Sequence, residues 1–361
     1  MKDMFGRRAF LRNGALGAGG VVLLGGSGLV AACGDDDDAE TGSDSSSGTP
    51  DYGELAFQLS WIKNVEFAGE YIADKKGYYK DAGFSKVDLM AGGPTVQQDS
   101  IVASGQAFIG ISAPDITGPA ILAGAPLIAV GALYQKNPFA VMSLAETPIS
   151  TPEDMIGKKI GVQAVNEPIW NAFLKANDID PDSITKVPVQ FDPQPLTVGE
   201  VDGWFSFFTN EPNLLKTQGI ETEVFLLADN NYPMVSEIYV VQTKSITDER
   251  DKLKAALVAD IKGWRDSLKD PALGAQLAAE DYGKDLGLTT EEQTLESESQ
   301  NTVILTDDTT TNGIITITDE LVAATIDTLA LGGIEIEADK LFDLSLITEV
   351  YEENPELKEP I

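Results

Sequence analysis

An α/β fold is what the sequence predicts, and three observations lead to it. From residue 54 onward, short apolar or alternating runs pass into a turn and then into segments of helical spacing, over and over. The chain has 361 residues, 43% hydrophobic and 23% charged, enough to bury a sizeable core and better suited to two domains than one. Five predicted strand ends are followed at once by a capping residue or a helix-starting proline, the arrangement that lines a crevice in open α/β sheets.

Taken in order, the apolar or alternating runs predict strands at 54–61, 86–91, 107–112, 127–134, 139–144, 158–163, 185–190, 201–206, 222–227 and 235–243. After residue 244 the pattern turns mainly helical. Leu253, Ala256, Leu257, Ile261 and Trp264 share one face of a helix predicted over 246–268, and similar spacing predicts helices over 271–282 and 317–330. The five corners read Trp61-Ile62-Lys63-Asn64, Gly92-Gly93-Pro94-Thr95, Ser112-Ala113-Pro114-Asp115, Asn166-Glu167-Pro168 and Asn210-Glu211-Pro212. Each is expected to leave backbone N–H groups pointing out of a helix N-terminus. A single corner of this kind is usually an ordinary helix cap; five in one chain point to a cleft.

Composition removes whole classes of chemistry. With no histidine and one cysteine, the chain has no Ser-His-Asp or Cys-His nucleophile system, no imidazole base, no His-containing zinc site and no internal disulfide. Twenty-five basic against 58 acidic residues give a formal charge of -33, which repels nucleic acid, and no basic patch offsets it. No metal site, catalytic group or resident cofactor is expected. The carboxylates Asp115 and Glu211 form the best pair for a hydrolase, but an acidic chain offers such pairs by chance.

The N-terminal stretch reads as an address. Arg7-Arg8 precedes a weakly apolar run, Ala15 to Val30, that carries six glycines and is too short and weak to cross a bilayer. The small-small-Cys sequence Ala31-Ala32-Cys33 follows. The arginine pair resembles a signal for export of folded proteins, and the cysteine motif resembles a lipobox. Residues 1–32 are therefore expected to be a twin-arginine lipoprotein signal, with Cys33 lipidated and the protein held outside the cell membrane. Its removal leaves 21 basic and 57 acidic groups, a net charge of -36. Residues 33–51 hold seven acids and no base, the composition of an acidic disordered tether.

The stretch WIKNVEFAGEYIADKKGYY from Trp61 to Tyr79, followed by KDAGF, resembles solute-binding proteins of ABC importers, in the group of thiamine-pyrimidine and alkanesulfonate binders. VQQDSIVASGQAFIGIS (96–112), TNEP (209–212) and YGKDLGL with the run after it (282–301) fit the same group. The resemblance implies a two-lobed, type II periplasmic-binding-protein-like fold. Applied to this chain, lobe one takes 52–138 and 236–361 and lobe two takes 139–235, with crossovers at Asn137-Pro138 and Asn231-Tyr232-Pro233. It also implies a monomer that delivers a small molecule to an ABC permease rather than an enzyme. The pyrimidine synthases of the same fold consume a histidine of their own chain, which this protein lacks.

The corners then suggest a ligand. Trp61, Phe67, Tyr134, Trp170, Trp204, Phe207 and Tyr232 lie at or near them, whereas the nearest cations are Lys63, Lys136, Lys158 and Lys159. An aromatic, arginine-free cleft favours a flat neutral or cationic heteroaromatic ring and disfavours sulfonate or nitrate. The expected ligand-binding set is Trp61, Asn64, Phe67, Thr95, Ser112, Asn166, Trp204, Asn210 and Glu211. For Phe67 and Trp204, plain core packing weighs equally. Pyrimidine binders of the family usually carry Asn-Thr-Asn-His where this chain reads Asn64-Val65-Glu66-Phe67, so a larger ring such as a flavin is the alternative to a pyrimidine.

Overall fold

A computed structural model describes residues 50–361 apart from Pro94 and Phe191. The expected signal peptide, Cys33 and all but the last two residues of the expected tether lie outside the described residues. All ten predicted strands are present, each end within three residues of its expected place. They are β1 Gly53–Gln58, β2 Phe84–Met90, β3 Ile109–Ser112, β4 Leu127–Tyr134, β5 Phe139–Leu144, β6 Lys159–Gln163, β7 Thr185–Val189, β8 Gly203–Phe207, β9 Thr222–Leu226 and β10 Ser236–Gln242.

They form two five-stranded sheets of matching design. The first has the order β2-β1-β3-β10-β4 and the second β7-β6-β8-β5-β9. In each, three neighbouring strands run parallel and the fourth, β10 or β5, runs antiparallel to both its neighbours. The parallel strands are linked by helices, as parallel pairing requires. Edge strand β4 is buried along its whole length, its outer side covered by later segments: Ala132 N–H donates to the Ile315 carbonyl and Asp343 N–H to the Ala129 carbonyl.

Between the sheets the chain crosses twice, at 135–138 and 227–235, and the two crossings are tied to each other. Asn137 donates its backbone N–H to the Met234 carbonyl at 2.7 Å and its side-chain amide to the Tyr232 carbonyl at 2.9 Å. Lys136 pairs with Asp229. The helix Asp319–Leu331 holds the second crossing from outside, Thr328 donating to the Pro233 carbonyl and Thr325 accepting from Val235 N–H.

The predicted helix over 246–268 is a short turn, Ser245–Asp248, followed by the long helix Arg250–Lys269. Over 271–282 an α-helix, Pro271–Gln276, widens into a π-helical segment, Leu277–Tyr282. The long helix crosses Ala68–Lys76 at unusually close range. A Cβ on Gly263 would lie 2.0 Å from the Gly69 carbonyl oxygen, and one on Gly69 would lie 2.2 Å from the Trp264 ring. Two glycines thus let backbone meet backbone in the core below the first corner.

Candidate ligand-binding site

The carboxyl ends of the parallel strands in both sheets lead into the expected corners, and the two sets meet between the sheets. From the first sheet come Ser60, Trp61, Asn64 and Glu66, just after β1, together with Glu237 at the start of β10 and Glu296 on the helix Thr290–Ile304. From the second come Phe207, Asn210 and Glu211, between β8 and the helix Glu211–Thr217. Asn213 of that helix donates to Ser299 Oγ across the junction at 2.9 Å. Glu211 and Glu296 approach closely enough that the charge of one disfavours ionisation of the other.

The first-sheet residues form a polar network. Ser60 Oγ lies 3.1 Å from Glu66 Oε1 and 3.1 Å from Glu237 Oε2. Asn64 donates to Glu296 Oε1 at 2.7 Å while Gln293 donates to its Oε2 at 2.8 Å and accepts from Val65 N–H. Gln300 donates to the Val65 carbonyl and accepts from Tyr134 OH. Among the described residues none of these acids is paired with a lysine or arginine. Burial pushes Glu66 up to about 7, against the pull of hydrogen bonds from Ser60 and its neighbours. Burial, then the charge of Glu66, raises Glu237 and Glu296. Glu237 holds a left-handed backbone, φ 48°, rare for a residue with a Cβ.

At the other corners the helix N-termini already carry carboxylates of the chain. Glu211 accepts from Phe207 N–H at 2.9 Å, and burial pushes it up to about 7 even with that bond. Trp204 lies near enough to favour the ionised form without a hydrogen bond of ordinary geometry. Asp115, beside Pro114, is pushed up to about 6 by burial, with its own N–H opposing. Asp99 is buried near Ser112 and Thr117, and burial raises it too. The side-chain capping bonds expected from Asn64, Asn166 and Asn210 are absent, and Glu211 instead ties its corner to the end of β8 through Phe207 N–H.

Of the nine expected ligand residues, Asn64 and Glu211 are linked through Glu296, and Trp61 and Asn210 are their neighbours along the chain. Thr95 is exposed in a turn three residues ahead of its helix, and Asn166 is half-buried and donates to Gln163. Ser112 is buried at the end of β3 beside Asp99. Phe67 and Trp204, for which core packing weighed equally, both lie in a core. Phe67, 1% exposed, packs in the first-sheet core because it ends the 3-10 turn Val65–Phe67 facing inward. Trp204, fully buried, packs under Gly161 in the second sheet's core, since β8 is a central strand. Tyr134, Trp170 and Tyr232 are buried as well, leaving Trp61 and Phe207 as the half-exposed aromatics of the original set. Phe207 stands edge-on to Phe139 with ring centres 5.4 Å apart. The acids Glu66, Glu237 and Glu296 were missed. The change from histidine to Phe67 therefore falls in the core, and Asn64 and Glu66 are the side chains of that motif turned to the polar network.

Comparison with known proteins follows this geometry. A riboflavin-binding protein, RibY, of Chloroflexus aurantiacus is 26% identical over 249 residues, 64% of this chain and 68% of that protein. A formylaminopyrimidine-binding protein of Halalkalibacterium halodurans is 28% identical over 236 residues, 62% of this chain and 69% of that one. The fold matches the aliphatic sulphonate binding protein SsuA of Escherichia coli with a TM-score of 0.62 at 16% identity, over 80% of this chain and 92% of SsuA. It also matches the desulfurization enzyme DSZB, with a TM-score of 0.56 at 12% identity, over 83% of this chain and 99% of that one. These structures establish the two-lobed periplasmic-binding-protein fold and leave its chemistry open. The family model described as NMT1/THI5 like matches residues 64–273, and the chain belongs to that family.

Proposed function

We propose that the chain is the extracytoplasmic solute-binding subunit of an ABC importer and captures a small, amino-substituted N-heteroaromatic ligand of thiamine-pyrimidine type between its lobes. The lobes are those expected from the sequence, 52–138 with 236–361, and 139–235. One observation carries the ligand class: the half-exposed aromatics Trp61 and Phe207 lie on the same two turns as the acids Glu66 and Glu211, which have no paired cation among the described residues. A flat ring stacks on the former while its amino groups donate to the latter. Sulfonate and nitrate fit poorly, because Asp99, Asp115 and Glu211 occupy the helix N-termini where an anion would sit. The names of the two relatives support the same range of ligands, and riboflavin is the second reading.

Capture requires no bond-making, and the chain is read as a binder rather than an enzyme. Closure about the two crossings encloses the ligand. The arginine pair and Cys33 support export by the twin-arginine route and lipid anchoring; the same reading takes the protein as a monomer that delivers to a permease. Mass spectrometry of small molecules released from the purified protein tests the reading, followed by calorimetric titration with an aminopyrimidine and with riboflavin. Release of a sulfonate, or turnover of any released compound, overturns it.

A further inference from the structure

The two contacts of the Ser60 hydroxyl pose a counting problem. Its oxygen lies 3.1 Å from a carboxylate oxygen of Glu66 and 3.1 Å from one of Glu237, yet it carries a single hydrogen. If both acids are ionised, one contact sets lone pair against lone pair. A carboxylic acid donating to Ser60 Oγ, while the serine donates to the other carboxylate, satisfies both. We propose that Glu66 and Glu237 hold one proton between them across Ser60, and that this proton latches the hinge strand β10 to the turn that carries Trp61.

The surroundings favour that state. Facing the pair are Glu70 and Tyr71 from Ala68–Lys76, Glu296 from Thr290–Ile304 and Tyr134 from β4. Tyr282, from the π-helical segment, stacks on Tyr71 and donates to Asp74. The helices packed on β10 bring Asp99, Asp115 and Asp248. None of these is a cation. Lys75 and Lys76 pair with Asp281 and Asp266 at the surface, and Lys63 forms no ion pair among the described residues. Glu70, almost fully buried, has an oxygen without a hydrogen-bond partner, so it cannot absorb a second charge nearby.

The latch lies at a mechanical joint. Glu237 is the second residue of β10, directly after the crossing 227–235, and takes the left-handed backbone that places it against the end of β1. Losing the proton to solvent leaves two carboxylates and one donor, and the strand and turn separate. Ser60 is bonded to Trp61, so the aromatic face moves with it. The effect on ligand affinity rests on the binding reading above; the latch itself belongs to the empty protein.

The test therefore uses the full mature chain without ligand. Tryptophan emission is titrated from pH 5 to 9 in the wild type and in Glu66→Gln, Glu237→Gln and Glu211→Gln, alongside carbon-13 carboxyl shifts in glutamate-labelled protein. The Glu66 and Glu237 variants are built on Glu211→Gln, because Glu211 is also pushed up to about 7 beside Trp204. The expected result is a one-proton transition near 7, the value to which Glu66 is pushed, absent in Glu66→Gln and Glu237→Gln because an amide donates at every pH. It persists in Glu211→Gln. Ser60→Ala serves if the glutamine variants do not fold; the hydroxyl bridges the two acids only while the proton is held, so its loss shifts the midpoint. The proposal is overturned if the transition survives in both glutamine variants, if only Glu211→Gln abolishes it, if Ser60→Ala leaves the midpoint in place, or if both carboxyls titrate near 4.

Discussion

Asn213, on the second-sheet side, donates its side-chain amide to Ser299 on the first-sheet side at 2.9 Å, and donates again to the Thr209 carbonyl at 2.8 Å. One amide thus braces the corner that carries Glu211 and also joins the two halves. Asn213→Ala removes both hydrogen bonds, of which the one across the junction is worth about 0.5–1.5 kcal/mol. It should raise the dissociation constant of the released ligand roughly two- to tenfold. Small-angle scattering of the empty variant should show a larger radius of gyration; an unchanged radius and affinity would mean the contact does not hold the halves together.

Trp61 and Phe67, six residues apart, should respond to truncation in opposite ways. Trp61→Ala removes a stacking face worth about 1–3 kcal/mol of binding, and Glu211→Gln weakens a charge-assisted bond worth about 1.5–3 kcal/mol. At pH 5, where Glu211 is protonated, both should leave the melting temperature of the empty protein nearly unchanged. Phe67→Ala and Trp204→Ala, in the cores, should instead cost about 3–5 kcal/mol of stability. Calorimetry and melting curves on the four variants decide the matter, and a stable Trp204→Ala protein with weak binding would return Trp204 to the site.

Stability should fall as pH rises from 5 to 8. Glu66 and Glu211 are pushed up to about 7 and Asp115 and Asp260 to about 6, with burial the leading cause, and Glu70, Glu237 and Glu296 are raised as well. An acid whose folded value is raised contributes stability that is fully present below its unfolded value, about 4. That stability is lost as pH climbs through the folded value. The combined effect should be on the order of a few kcal/mol. Self-repulsion of the acidic surface has the same sign, but about 1 M salt screens it beyond roughly 3 Å. Urea midpoints at pH 5 and 8 in that salt should still differ; equal midpoints would show that the buried acids are not shifted.

Gly263→Ala should destabilise the protein by at least about 1–3 kcal/mol, the ordinary cost of overpacking, because the added carbon meets the Gly69 carbonyl at 2.0 Å. Replacing Lys262, its neighbour on the exposed side, by Ala should change stability by no more than about 0.5 kcal/mol. Comparable losses for the two would contradict the close crossing.

Backbone order was legible where side-chain alternation reports it. Strands such as Leu127–Tyr134 and Phe139–Leu144 match their predicted ends because a run of apolar and β-branched residues has few other uses. The crossings were legible from proline. Which way an aromatic points was not: Trp61 and Trp204 both lie near strand ends, and only the position of β8 inside the second sheet buries one of them. The buried acids were hidden by composition. With 58 acidic residues, Glu66 and Glu237 read as surface charge, and Glu237 also departs from strand alternation through its left-handed backbone. Glu296 lies in a polar helical run whose inward face is made of Gln293, Glu296, Ser297 and Gln300, so no apolar stripe marks it.

The unequal threading of the two sheets bears on how the chain acquires its structure. The second sheet draws its five strands from one unbroken stretch, Phe139 to Leu226, while the first takes four strands before that stretch and β10 after it. Until β10 emerges, β3 and β4 have no partner between them, and each presents an open edge of the kind that recruits other chains. The second sheet can condense during synthesis, which shortens the effective loop that the first must close. Contact order is thus concentrated in the pairing of β10 with β3 and β4, and that late step should govern both the folding rate and the window in which the nascent protein is prone to aggregate.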